Sequence, residues 1–109
     1  MADEQLSIIL VTAPSQDLAQ QLAHDLVTER LAACVNVVPG VTSIYAWEGK
    51  IEQAEEVLMI IKTQSSRYAA LEEHIRAHHP YDTPEIVELS AGRVTPRYWQ
   101  WVMKETTRG

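Results

Sequence analysis

The sequence of 109 residues contains one cysteine, no phenylalanine, no run of basic residues and no long hydrophobic segment. Because Cys34 has no partner cysteine in the chain, an intrachain disulfide cannot form, and a reducing compartment such as the cytoplasm is expected. The nine Lys and Arg residues are scattered and are outnumbered by fifteen Asp and Glu, which gives a formal net charge of −6. Nucleic acids and anionic membranes bind through clustered cations, so neither is an expected partner.

The apolar segment near the start of the chain, LSIILVTA, is too short for a signal peptide or a membrane span. No basic leader precedes this segment. We therefore expect a protein that starts near Met1 and stays in the cytosol.

A hydrophobic fraction of 46% is sufficient for one folded domain, which we predict to span residues 1–109. LSIILVTA has the β-branched, apolar character of a buried strand. Ser15 is a good N-cap for a following helix that runs to about Arg30. Two long segments typical of strands, CVNVVPGVTSIYAW and KIEQAEEVLMIIKT, flank Glu48-Gly49, a two-residue hairpin signal.

The second half of the chain repeats the order of helix and strand. A second helix opens within residues 63–66 and stops near His78, because Pro80 disfavours a helical backbone at His79. The segment PEIVELSA predicts a last strand, and Thr95-Pro96 predicts the N-cap and first turn of a short C-terminal helix. The order β-α-β-β-α-β plus a helix is that of the α+β, ferredoxin-like split βαβ fold, in which two helices cover one face of an antiparallel sheet.

The predicted hairpin is too long for a compact domain of this size. Its first arm would span about 45 Å at the rise of a strand, whereas a domain of this length is roughly 35 Å across. Pro39-Gly40 must bend or bulge that arm, and the tip around Tyr45, Trp47 and Ile51 would still project uncovered. This predicts an obligate oligomer whose hairpins complete each other's sheets. The alternative is a hairpin that folds back on its own domain.

His78 and His79 are adjacent in AHHPYDTPEI and form the main candidate metal site. Neutral imidazole suits divalent copper, nickel and zinc. Asp82 and Glu85 could supply oxygen ligands or orient an imidazole. The alternative is that His78 only ends the helix, while His79 packs beside Tyr81, since adjacent side chains on a helix diverge by about 100°.

Other candidate residues carry weaker signals. His74 and His78 have the i, i+4 spacing of a helical metal pair, although a solvated His74 is favoured. Cys34 has apolar neighbours in the sequence, which favours a packing role. Four residues of the hairpin could line a cleft between subunits or anchor an interface: Tyr45, Trp47, Lys50 and Lys62. Trp99 and Trp101 suggest that the C-terminal helix is buried between subunits.

No P-loop, nucleotide fingerprint, zinc-protease motif or Ser/His/Asp spacing is present in the sequence. We therefore do not expect an enzyme.

The segment ERLAACVNVVPGVTSIYAWEGKIEQAEEVLMIIKT, followed by HHPYDTPEI, resembles the CutA family of divalent-cation tolerance proteins. The resemblance extends from VTAP near the start to YWQWV near the end. It implies a ferredoxin-like subunit in a homotrimer similar to the PII signalling proteins, and a role in tolerance of copper and other divalent metals. It also implies copper ligands at His78 and His79, and a cysteine at the position where this chain has Val11.

The resemblance and the residues together predict a homotrimeric, cytoplasmic protein that binds copper, with other divalent metals as further candidates. The alternative is a PII-like regulatory or scaffold protein whose intersubunit clefts bind a small molecule or a protein partner.

Overall fold

Strands and helices alternate along the chain in the predicted order. The computed structural model describes residues 4–107, so the predicted domain bounds, residues 1 and 109, lie outside the described residues. A single turn of 3-10 helix over Ser65–Arg67 precedes the second α-helix. The elements are β1 (Leu6–Ala13), α1 (Gln16–Thr28), β2 (Cys34–Trp47), β3 (Lys50–Gln64), α2 (Tyr68–His78), β4 (Ile86–Ser90) and α3 (Pro96–Glu105).

The four strands form one antiparallel sheet in the order β2-β3-β1-β4. This is the split βαβ arrangement, in which β1 lies between β3 and β4, the two strands that flank the second helix in the chain. The predicted fold class is therefore confirmed. Within residues 4–107 no helix has the length and apolar character needed to cross a membrane.

The ends of α1 follow from local backbone chemistry. The Ser15 hydroxyl accepts a hydrogen bond from the Leu18 N–H at 3.2 Å, which is the predicted cap. At the other end Arg30 has a left-handed backbone (φ 59°), and the Leu31 N–H donates to the Leu26 carbonyl at 2.9 Å. These features define a Schellman motif. The helix ends at Thr28, slightly before the predicted boundary.

The predictions for the other two helices are met in part. α2 ends at His78, and His79 is extended (φ −91°, ψ 137°), as Pro80 requires. Pro96 occupies the first turn of α3, as predicted. Thr95 stands at the N-cap, as predicted, but its side chain makes no hydrogen bond to the helix start.

The main core lies between the sheet and helices α1 and α2. Alternate residues of β1 and β3 point toward these helices, as the two-residue period of a strand requires. Fully buried side chains fill this layer: Ile9, Val11, Ala13, Leu22, Leu26, Met59, Ile61, Leu71 and Ile75.

The opposite side of the sheet, here called the open face, is apolar but is not covered by α1 or α2. α3 covers only one end of it, where Val102 packs with Leu6 and Ala33. Val87 and Leu89 remain 45% and 47% exposed. The register places seven apolar side chains on the open face: Ile8, Leu10, Val38, Leu58, Ile60, Val87 and Leu89. Apolar patches of this kind mark surfaces where other chains bind.

The β2–β3 hairpin projects from the domain, so the alternative of a hairpin folded back is not seen. The principal extents are 44 × 26 × 24 Å. Glu48 (φ 50°) and Gly49 (φ 80°) form the predicted two-residue turn. The tip residues Ile51 and Trp47 are 77% and 50% exposed. A bulge interrupts the pairing between Val38 and Val41, at the predicted Pro39-Gly40 position.

Gly40→Ala should destabilise the protein by about 1–2 kcal/mol, because a side chain is disfavoured at its left-handed φ of 80°. The surroundings would not clash, since no atom lies within 4 Å of a Cβ at this position. Gly92→Ala is the matched control, because it also has open space but no left-handed φ. Urea unfolding of the two variants measures the difference. Equal stability of the two variants would contradict the strain at Gly40.

Candidate metal-binding histidines and the adjacent cleft

Both ring nitrogens of His79 are occupied by hydrogen bonds inside the protein. Nε2 lies 2.8 Å from the Thr12 carbonyl oxygen, and Nδ1 accepts from the Tyr81 N–H at 3.2 Å. Because a carbonyl only accepts, Nε2 carries the proton and the ring is the neutral Nε2–H tautomer. The side chain is buried, and its ring packs on Tyr81 at a centroid distance of 4.8 Å. The predicted packing of His79 beside Tyr81 is confirmed.

His78 has a different environment. Its side chain is exposed at the end of α2, and its Nδ1 lies 2.8 Å from the His74 carbonyl oxygen, to which it donates. The ring stacks on His74 with centroids 4.3 Å apart. Nε2 is therefore left with a free lone pair, which is the ligand atom that a divalent metal needs.

The structure does not combine the two imidazoles into a chelate. α2 ends between them, so His78 stacks on the helix while His79 turns to the end of β1. Within residues 4–107 no group of three or more His, Cys, Asp or Glu side chains is arranged to hold a metal ion. Metal ligation by His78 and His79 stays a prediction, and it does not start from a preformed pair.

His74 is not the solvated residue that the sequence favoured. Its Nε2 lies 3.8 Å from Asp25 Oδ2 on α1, and this buried nitrogen has no hydrogen-bond partner among residues 4–107. The i, i+4 relation to His78 does hold, because α2 continues to His78. The two rings are stacked face to face. In this arrangement their nitrogen lone pairs do not converge on one metal position.

A cleft of about 520 Å³ lies beside His79, between the hairpin tip and the segment that follows α2. Asp82 and Glu85, the predicted oxygen donors, line it and are exposed. Neither carboxylate bonds to an imidazole among residues 4–107, so neither orients one. The cleft is lined by Thr12, Ser43, Ile44, Tyr45, Trp47, Glu56, Tyr81, Asp82, Thr83 and Glu85.

The predicted cleft residues of the hairpin separate into two groups. Tyr45 and Trp47 line the cleft. Lys50 pairs with Trp47 at the hairpin tip but lies outside the cleft lining. Lys62 is also outside it, because it lies further along β3 and its Nζ donates to Asn36 Oδ1.

The two tryptophans of α3 have different surroundings. Trp99 packs against the small cluster that contains Val102. Trp101 is 41% exposed and borders a shallow depression. Cys34 lies beside Tyr98 of α3, where burial and then the neighbouring Cys34 raise the pKa of Tyr98. The packing role predicted for Cys34 agrees with this position.

From the sequence, Glu56 was expected on the polar side of the sheet or in a pair with a lysine, whereas the structure pairs it with Tyr81 at the base of the cleft. The Tyr81 hydroxyl donates to Glu56 Oε2 at 3.1 Å, and Glu56 is only 8% exposed. Burial, followed by the Glu56 carboxylate, raises the pKa of Tyr81, which keeps the phenol protonated and donating. The one signal was a glutamate that interrupts the apolar run of β3.

Comparison with known proteins identifies the family. The sequence profile of the family described as "CutA1 divalent ion tolerance protein" matches residues 7–105. This chain belongs to that family. The Thermus thermophilus protein named "Divalent-cation tolerance protein CutA" is 43% identical over 99 residues, covering 91% of this chain and 96% of the relative. The solved structure of CutA1 from Oryza sativa superposes with a TM-score of 0.92 at 40% identity, covering 96% of each chain.

Longer relatives also match. The mouse protein named "Protein CutA" is 48% identical over 101 residues, which are 93% of this chain and 57% of the relative. The chain thus spans little more than half of that relative. A rice relative is named as chloroplastic, so CutA membership alone does not fix the compartment.

CutA membership does not supply the cysteine that the resemblance associates with the histidines. Val11 occupies that position and is completely buried in the core. Any metal site of this chain must therefore be built from nitrogen and oxygen ligands around that region.

His79→Ala should lower the free energy of unfolding by about 2–4 kcal/mol, because it leaves the Thr12 carbonyl and the Tyr81 N–H without partners. His78→Ala is the matched control and should change stability by less than about 1 kcal/mol, since its side chain is exposed. Chemical unfolding in metal-free buffer separates the two. Equal losses would contradict the structural role assigned to His79.

Proposed function

We propose that this protein is a homotrimeric, cytoplasmic, non-enzymatic divalent-cation-binding protein, with copper as the preferred ion. CutA membership supports the divalent-cation role. The single observation that carries the site is the free Nε2 of the exposed His78. The lone cysteine supports the reducing compartment, and the scattered basic residues favour neither nucleic acid nor membrane as a partner.

His78 and His79 act differently in this proposal. His78 binds the ion through Nε2. By the Irving–Williams order, an imidazole site has a higher affinity for copper than for other first-row divalent ions. His79 can ligate only after one of its two hydrogen bonds breaks, so its first role is to hold the segment after α2. Asp82 and Glu85 lie on the segment that follows α2, where their negative charge raises the local concentration of cations.

Assembly of three chains is supported by the open face. Seven apolar side chains on one side of a sheet, together with the unpaired edges of β2 and β4, are costly for an isolated subunit. A trimer packed through the open face would remove this surface from water, and it would place three copies of the His78 site on one particle. The resemblance to the trimeric PII architecture agrees with this arrangement.

Light scattering coupled to size exclusion should give three chains per particle. Val87→Glu should break the assembly or abolish solubility, because it puts a charge on the open face. Val27→Glu is a matched control, since Val27 and Val87 are both 45% exposed and Val27 lies on α1. A monomeric wild type, or a Val87→Glu variant that stays trimeric, would contradict the proposal.

Copper titration by calorimetry tests the site. His78→Ala should weaken the tightest site by about tenfold or more, since an imidazole ligand is lost. His24→Ala, which instead removes an exposed histidine of α1, should bind copper as the wild type does. Folded His79→Ala protein should retain most of its affinity. Unchanged affinity in His78→Ala would remove the site, and a loss confined to His79→Ala would reverse the roles of the two histidines.

The second candidate is a PII-like regulatory or scaffold protein that binds a small molecule or a protein partner. The cleft of about 520 Å³ favours it, because its size falls within the range of small-molecule sites. A thermal-shift panel of metals, nucleotides and organic ions separates the candidates, since a ligand of the native state raises the melting temperature.

A further inference from the structure

Glu56 is a buried carboxylate without a cation. The residue is 8% exposed, and its one hydrogen bond among residues 4–107 is the one that Oε2 accepts from Tyr81. Its second oxygen, Oε1, has no donor in that part of the chain and no ion pair with Lys, Arg or His there. Oε1 is open to the cleft, because the one fully buried side-chain atom without a partner in residues 4–107 is His74 Nε2. Glutamate is almost never buried unless it is paired, because a desolvated charge is costly. The free oxygen belongs to a residue that lines the cleft, so the cleft is where a missing cation would bind.

The cleft has the charge that a cation requires. Asp82 and Glu85 add two carboxylates to its rim, and no lysine, arginine or histidine belongs to its lining. A concave surface lined by charges of one sign concentrates the field and raises the local concentration of the opposite ion.

Three aromatic rings also line the cleft, beside four smaller polar or aliphatic side chains. Tyr45 and Trp47 come from the hairpin and are 44% and 50% exposed, while Tyr81 faces them from the segment after α2. An ammonium or guanidinium group is attracted to the face of such rings, most strongly to tryptophan.

These features favour an organic cation over a metal ion. The volume of about 520 Å³ is that of a small-molecule site, and residues 4–107 contain no group of three metal-ligand side chains. We infer that the cleft binds a small organic cation, a primary alkylammonium or guanidinium. Its N–H groups donate to Glu56 Oε1, and its apolar body lies against Tyr45 and Trp47.

The test uses the purified full chain in its own oligomeric state, with benzylammonium as the probe and benzyl alcohol as its neutral counterpart. Calorimetry or NMR titration should show benzylammonium binding at least about tenfold tighter, because only the ammonium makes a charge-assisted hydrogen bond. Glu56→Gln should remove this preference. Glu55→Gln is the matched control, since the exposed Glu55 accepts from Thr42 instead and lies outside the cleft lining.

Two further variants keep the test decisive if Glu56→Gln fails to fold. Asp82→Asn alters an exposed residue and should weaken benzylammonium several-fold, and Trp47→Leu should do the same through the lost ring face. His78→Ala should bind benzylammonium as the wild type does, so failure of the copper site and failure of the cleft are distinguishable.

Three results would overturn the inference. One is equal affinity for benzylammonium and benzyl alcohol, and another is wild-type affinity in folded Glu56→Gln protein or in both Asp82→Asn and Trp47→Leu. The third is displacement of benzylammonium from His78→Ala protein by stoichiometric copper, which would make the cleft a metal site.

Discussion

The structure depends on the apolar character of both sides of its sheet. α1 and α2 cover one side and make the main core, whereas α3 covers only an end of the other. Residues 4–107 contain no further helix that could cover the open face. The open face therefore leaves apolar surface in contact with water in a single chain, and this surface is the physical basis of the proposed trimer. The projecting hairpin has the same property, because it extends the sheet beyond the helices that could cover it.

The sequence predicted the fold well because its signals are local. The Ser15 cap, the Glu48-Gly49 turn and the end of α2 before Pro80 each depend on a few neighbouring residues, and each is present. Thr95 also occupies its predicted N-cap position, although its side chain makes no hydrogen bond to the helix start; the position was predictable from the sequence and the bond was not. The open face could not be recognised from β-strand patterns alone, since apolar residues on both faces of a strand give the same run whether helices or other chains cover them.

The candidate site was harder to predict for the same reason. The adjacency of His78 and His79 in the sequence does not reveal which ring nitrogen has a lone pair available to a metal. The distinction depends on the Thr12 carbonyl, which is far away in the chain and is brought to His79 by the end of β1. Likewise, Glu56 and Tyr81 meet only because β3 and the segment after α2 lie side by side. Hydrogen bonds between distant segments decide the chemistry here, and one sequence does not display them.

The bulge at Pro39-Gly40 has a consequence for the whole hairpin tip. Between the Val38–Leu58 and Val41–Glu56 pairs, β2 advances by one residue more than β3 does. Since side chains alternate across a strand, this extra residue exchanges the two sides of everything beyond it. Tyr45 and Trp47 share a side with Glu56 for that reason. Paired in continuous register without the bulge, the same sequence would place Ile44 and Ala46 on that side instead, giving a hairpin of identical composition whose aromatic rings face away from the carboxylate.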